Sequence, residues 1–68
     1  MIKTLDVEGM TCQHCVMHVT NALKEVAGVS QVQVDLAAKK AVVEGSNLDD
    51  AAMKTAVADA GYEVVGIR

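Results

Sequence analysis

Aromatic side chains are almost missing from this chain: Tyr62 is the only one, and there is no tryptophan or phenylalanine in 68 residues. It therefore lacks stacking platforms, and it has no run of lysine or arginine to set against a net charge of −3, which argues against nucleic acid as a partner. Long apolar runs are absent too. The longest are a few residues, too short to span a membrane, and Met1-Ile2-Lys3-Thr4 leads straight into an alternating segment with no signal-peptide core. The expected location is the cytoplasm. No facing acid and base point to proton-transfer catalysis, since Asp49 and Asp50 read as first-turn acids of a helix, so an enzyme is not expected.

Cysteine is scarce as well, and here scarcity is informative. The two cysteines, Cys12 and Cys15, stand two residues apart in Gly9-Met10-Thr11-Cys12-Gln13-His14-Cys15, directly ahead of an amphipathic segment. A reducing compartment disfavours a structural disulfide, which leaves metal binding or redox chemistry. At a loop-to-helix junction the loop folds the first sulfur back toward the second, and unpaired N–H groups at the helix start favour the thiolate that a metal requires. Thiolates select Cu(I), zinc or iron–sulfur iron. A structural zinc site wants four ligands and an iron–sulfur cluster usually four cysteines, neither of which this chain can supply, whereas two sulfurs are a full set for low-coordinate Cu(I). Such a site is open and suited to handing its ion on.

What the chain has in quantity is alanine and valine, in patterns that alternate between two periods. Leu5 and Val7, with Lys3, alternate with Thr4, Asp6 and Glu8, which predicts a strand ending at Gly9. From about Gln13 to Val26 the apolar stripe Val16, Val19, Leu23, Val26 predicts a helix packed on one face, closed by Ala27-Gly28 with Gly28 as a left-handed cap. Val32, Val34 and Leu36 alternate with polar residues, a turn follows over 37–40, and Ala41-Val42-Val43-Glu44 completes a hairpin. Asn47 is the expected cap of a second helix that turns Met53, Val57 and Ala60 inward and ends at Gly61, and 62–67 form the last strand. The order strand, helix, strand, strand, helix, strand predicts an α+β fold of ferredoxin-like βαββαβ type, a four-stranded antiparallel sheet with both helices on one face. A single domain over 1–68 is expected, with a thin core, because a chain this short buries only about 60% of its unfolded surface.

Other polar and sulfur side chains have plainer readings. His14 is by default an exposed loop residue, with tuning of thiolate basicity or ligation between two molecules as its alternative. His18, four residues on, has zinc-binding spacing but no carboxylate to complete a set, and reads as solvated. Met10 reads as a gap-filler under the loop rather than a thioether ligand, Met53 as core, and Met17 as undecided. A redox pair of thioredoxin type is the alternative for the cysteines, although that motif usually sits in a fuller α/β fold.

Three islands, Gly9-Met10-Thr11-Cys12-x-x-Cys15, Ala27-Gly28-Val29 and Ala60-Gly61-Tyr62, resemble the heavy-metal-associated domain family over nearly the whole chain, in particular its free-standing bacterial copper chaperones. The resemblance implies Cys12 and Cys15 as Cu(I) ligands, Met10 as an apolar prop, and Tyr62 as a neighbour of the site. Relatives selective for zinc, cadmium or lead often carry an acidic residue just before the first cysteine, where this chain has Thr11. The implied function is a copper(I) chaperone that delivers its ion by ligand exchange, through a three-sulfur intermediate, to a copper-transporting P-type ATPase or a copper-responsive repressor. A monomer is implied without metal, and whether Cu(I) draws two molecules into a dimer sharing four sulfurs stays open. Alternatives are an excised regulatory metal-binding domain of such an ATPase, against which Met1 just before the first strand counts, a small thiol oxidoreductase, and a mercury-binding relative.

Overall fold

The computed structural model describes residues 1–68 and carries six elements: β1 (Ile2–Glu8), α1 (Gln13–Lys24), β2 (Val29–Asp35), β3 (Lys40–Gly45), α2 (Asp50–Asp59) and β4 (Glu63–Ile67). The strands form one antiparallel sheet in the order β2-β3-β1-β4, so β1 lies inside the sheet and the Gly9–Cys15 segment leaves from a central strand. Leu5 pairs with Ala41 on one side and with Ile67 on the other. A register shift between Asp6 and Val7 in the β1–β4 ladder marks a bulge, and Val65 on β4 is exposed there. The ferredoxin-like βαββαβ expectation holds.

Alternation decides which face the helices cover. Leu5 and Val7 of β1 and Ala41 and Val43 of β3 point to one side and are completely or almost completely buried, against Val19 and Leu23 of α1 and Met53 and Val57 of α2. Ile2 and Val42 project from the other side and are exposed. The core holds no aromatic ring and no buried polar side chain, so its stability rests on close packing of aliphatic groups. Met53 is core as expected, while Met17 is exposed.

Two local expectations need correction. Asn47 does not cap α2: Asp49 does, its carboxylate accepting from the N–H groups of Ala51 at 2.9 Å and Ala52 at 3.3 Å. Asn47 instead takes a left-handed conformation at φ 53°, and the chain between the two dips inward at Leu48, which is buried. Gly28 is not the cap of α1 either, since the helix ends at Lys24 with Glu25 as its cap. Its φ of 89° and its place against the Ser46 carbonyl give the actual reason for glycine, because a Cβ there would overlap that oxygen.

Candidate metal centre

Gly9 turns the chain out of β1 at φ 99°, and Met10 then folds back into the core at 5% exposure. That pairing fixes the loop: the backbone reverses at a residue without a side chain, and the next side chain anchors it from beneath. Cys12 is the N-cap residue of α1, in extended conformation, and its side chain makes no capping bond. Its sulfur is left exposed. Cys15, on the first turn of α1, is half-buried against the edge of the core. The two sulfurs stand 3.6 Å apart as free thiols.

The site favours negative charge on one sulfur in particular. The Cys15 thiol is pulled from its ordinary value of 9.0 down to about 6, first by the Thr11 backbone N–H, then by the Tyr62 hydroxyl, against an opposing burial effect, with smaller help from Cys12. The Thr11 hydroxyl lies a further 3.8 Å from the same sulfur. The backbone donors among these, Thr11 and Cys12, stand at the loop-to-helix junction, where unpaired N–H groups were expected, and the Tyr62 hydroxyl is an addition from a distant segment. Tyr62 responds reciprocally: its phenol is pushed up to about 12, chiefly by its hydrogen bond to Cys15, with burial and the two sulfur charges adding. Cys15 is therefore mainly thiolate at neutral pH, and a thiolate is the nucleophile and the metal ligand.

The structure gathers Cys12, Cys15, Thr11, Met10 and Tyr62 at one end of the fold and leaves His14 exposed at the rim. Tyr62 sits beside the loop as the resemblance implied, its ring against Gly9. Nowhere do three or more histidine, cysteine or acidic side chains come together in a way that could hold a metal. His18 is exposed, as its solvated reading expected, but sequence reasoning missed its one contact. Its Nδ1 is 3.2 Å from the Tyr62 hydroxyl, a contact between residues 44 apart that no local spacing announces.

The heavy-metal-associated domain pattern matches residues 4–63. This chain belongs to that family. Over 65 residues it is 46% identical to copper chaperone CopZ of Bacillus subtilis, covering 91% of this chain and 93% of that protein. It is also 46% identical over 65 residues to copper-transporting ATPase 1 of Rhizobium meliloti, covering 94% of this chain but 8% of the ATPase. A zinc/cadmium/lead-transporting P-type ATPase of Shigella sonnei is 45% identical over 58 residues, covering 85% of this chain and 8% of its own length. Among solved structures, a CopZ metallochaperone superposes with a TM-score of 0.89 at 37% identity, covering 96% of this chain and all of the other. The family is thus shared by free chaperones and by small portions of large transporters.

Proposed function

We propose that this heavy-metal-associated domain is a cytoplasmic copper(I) chaperone that holds one ion between Cys12 and Cys15 and passes it to a copper-transporting P-type ATPase or a copper-responsive repressor. The observation that carries this reading is the sulfur pair, 3.6 Å apart, with one sulfur exposed and no further ligand-forming group beside it. An ion that accepts two soft ligands is satisfied there, while one that demands four is left wanting half its shell. Thr11 before the first cysteine, in place of an acid, supports copper over the harder divalent ions.

The geometry supports different parts for the two sulfurs in transfer. At a thiolate–metal distance of about 2.3 Å, sulfurs standing 3.6 Å apart subtend an angle of about 103° at the metal. A straighter S–Cu–S arrangement requires them to separate, and the exposed Cys12 side chain, free of any capping bond, is the one able to swing. An arriving cysteine of the partner adds to the under-coordinated ion, giving three sulfurs, and one donor sulfur then leaves. Low coordination keeps that exchange fast while the depressed Cys15 thiol keeps protons from competing.

Titration of the reduced protein with Cu(I) and, separately, Zn(II), each against a competing chelator while mass in solution is followed, tests the reading. One Cu(I) per chain held more tightly than Zn(II) is the expected result, and tighter Zn(II) binding overturns it.

A further inference from the structure

The sulfur pair leaves two imidazoles of α1 unused. His14 and His18 both lie within that helix, four residues apart, so they stand about 6 Å from one another along its axis and only about 40° apart around it. Both are exposed. Neither pairs with a carboxylate, since the ion pairs of the molecule are Lys3–Asp50 and Arg68–Asp6 and the first turn of α1 carries no acid. No set of three or more donors unites them with Cys12 and Cys15.

His18 is oriented as well as exposed. Its Nδ1 lies 3.2 Å from the Tyr62 hydroxyl, with the two rings tilted at 42° and their centroids 6.5 Å apart, and this contact engages one ring nitrogen while leaving Nε2 free. A hydroxyl oxygen accepts as well as it gives, so when Nε2 takes an ion the ring proton stands on Nδ1 and Tyr62 accepts it. A metal-ligating imidazole is held in that way, one nitrogen on an oxygen and the other on the ion. Imidazole suits borderline divalent ions such as Ni(II) and Zn(II), where thiolate suits Cu(I). An exposed two-donor site needs no carboxylate, because water fills the remaining positions. The helix start is the positive end of the dipole and works against a cation, but at an exposed position that opposition is weak and screened by salt. We propose that His14 and His18 form a second metal site, which chelates a borderline divalent cation between their ring nitrogens on the exposed face of α1, separate from the sulfur site.

The site stands whether or not the sulfur pair carries Cu(I), and its probe is Ni(II) alone. In the Cys12→Ser/Cys15→Ser chain, which removes the competing thiols, calorimetric titration is expected to give one Ni(II) per chain. Adding His14→Ala or His18→Ala should each weaken that binding about tenfold or more, because loss of either donor turns a chelate into a single contact. His18→Ala with Asn21→His keeps two imidazoles but sets them seven residues apart, about 10.5 Å along the axis, and should not restore binding. The intact reduced protein gives a second reading without any substitution: in nitrogen-15 spectra of the imidazoles, Zn(II) beyond the first equivalent should shift the ring nitrogens of His14 and His18 together. Should the serine chain fail to fold, these spectra decide. A folded serine chain that binds no Ni(II), undiminished binding in either alanine variant, recovery on moving the histidine to position 21, or Zn(II) shifts at one imidazole or neither would overturn the proposal.

Discussion

The loop at Gly9–Cys15 and the aliphatic core beneath it follow opposite rules. In the core, Leu5, Val19, Leu23, Val43, Met53 and Val57 are fully buried and every side chain is apolar. In the loop, Thr11, Cys12, Gln13 and His14 are exposed, and polar groups are directed at a sulfur instead of away from the interior. Met10 belongs to both, and Cys15 packs against the edge of the core. The contrast teaches that the scaffold draws its stability chiefly from the core beneath the site, unlike a zinc finger, in which metal binding and folding are one event.

The sharpest way to break that contrast is to remove a sulfur. Cys12→Ser or Cys15→Ser should abolish tight Cu(I) binding, a loss of orders of magnitude read by chelator competition, while denaturant unfolding of the metal-free protein stays near wild type. A large loss of stability in either variant would mean that loop and core are one unit. The converse substitution, Leu23→Ala, deletes a fully buried side chain and should cost about 2–5 kcal/mol in unfolding free energy. For a domain of this size that is a large share of the total, and the folded fraction should still bind Cu(I) one to one.

Between these extremes lies Asp49, which serves neither core nor metal. Asp49→Ala removes the acceptor for two N–H groups and should cost about 1 kcal/mol, whereas Asn47→Ala, at a residue that caps nothing, should not reproduce that loss of a cap. Equal destabilisation through a lost helix end in both would put the cap back at Asn47. The smallest effect concerns pH. Because the Cys15 thiol falls to about 6 in the folded protein from an ordinary 9.0, its contribution to stability is fully present above about pH 9 and is lost as pH drops through about 6. Its rate of alkylation should accordingly stay high from pH 9 down to about 6 and then fall, and a midpoint near 9 would remove Thr11 and Tyr62 as donors to that sulfur.

Much of the fold was legible because its two periods are clean. Val19 and Leu23 sit on a helical stripe, and Leu5 with Val7, or Ala41 with Val43, on an alternating one, so element order and inner face follow from side-chain direction alone. The cap of α2 was misread because Asn47 and Asp49 are both good capping residues, and what separates them is burial of Leu48 between, a tertiary fact. Gly28 was misread for a similar reason: a positive φ after a helix looks like a cap until the Ser46 carbonyl against it is seen. In the candidate site the sulfur pair was plain from spacing and ligand counting. The donors that bias Cys15 were not, since a backbone N–H at Thr11 and a hydroxyl brought in from Tyr62 leave no mark on local pattern.

The division between scaffold and site is tested most directly by amide spectra of the nitrogen-15-labelled protein recorded metal-free and with one equivalent of Cu(I). The account predicts a dispersed, folded spectrum in both states, with changes concentrated at residues 9–15 and at His18 and Tyr62 and little movement at Leu23, Val43 or Val57. A collapsed metal-free spectrum that becomes dispersed only when Cu(I) is added would contradict it.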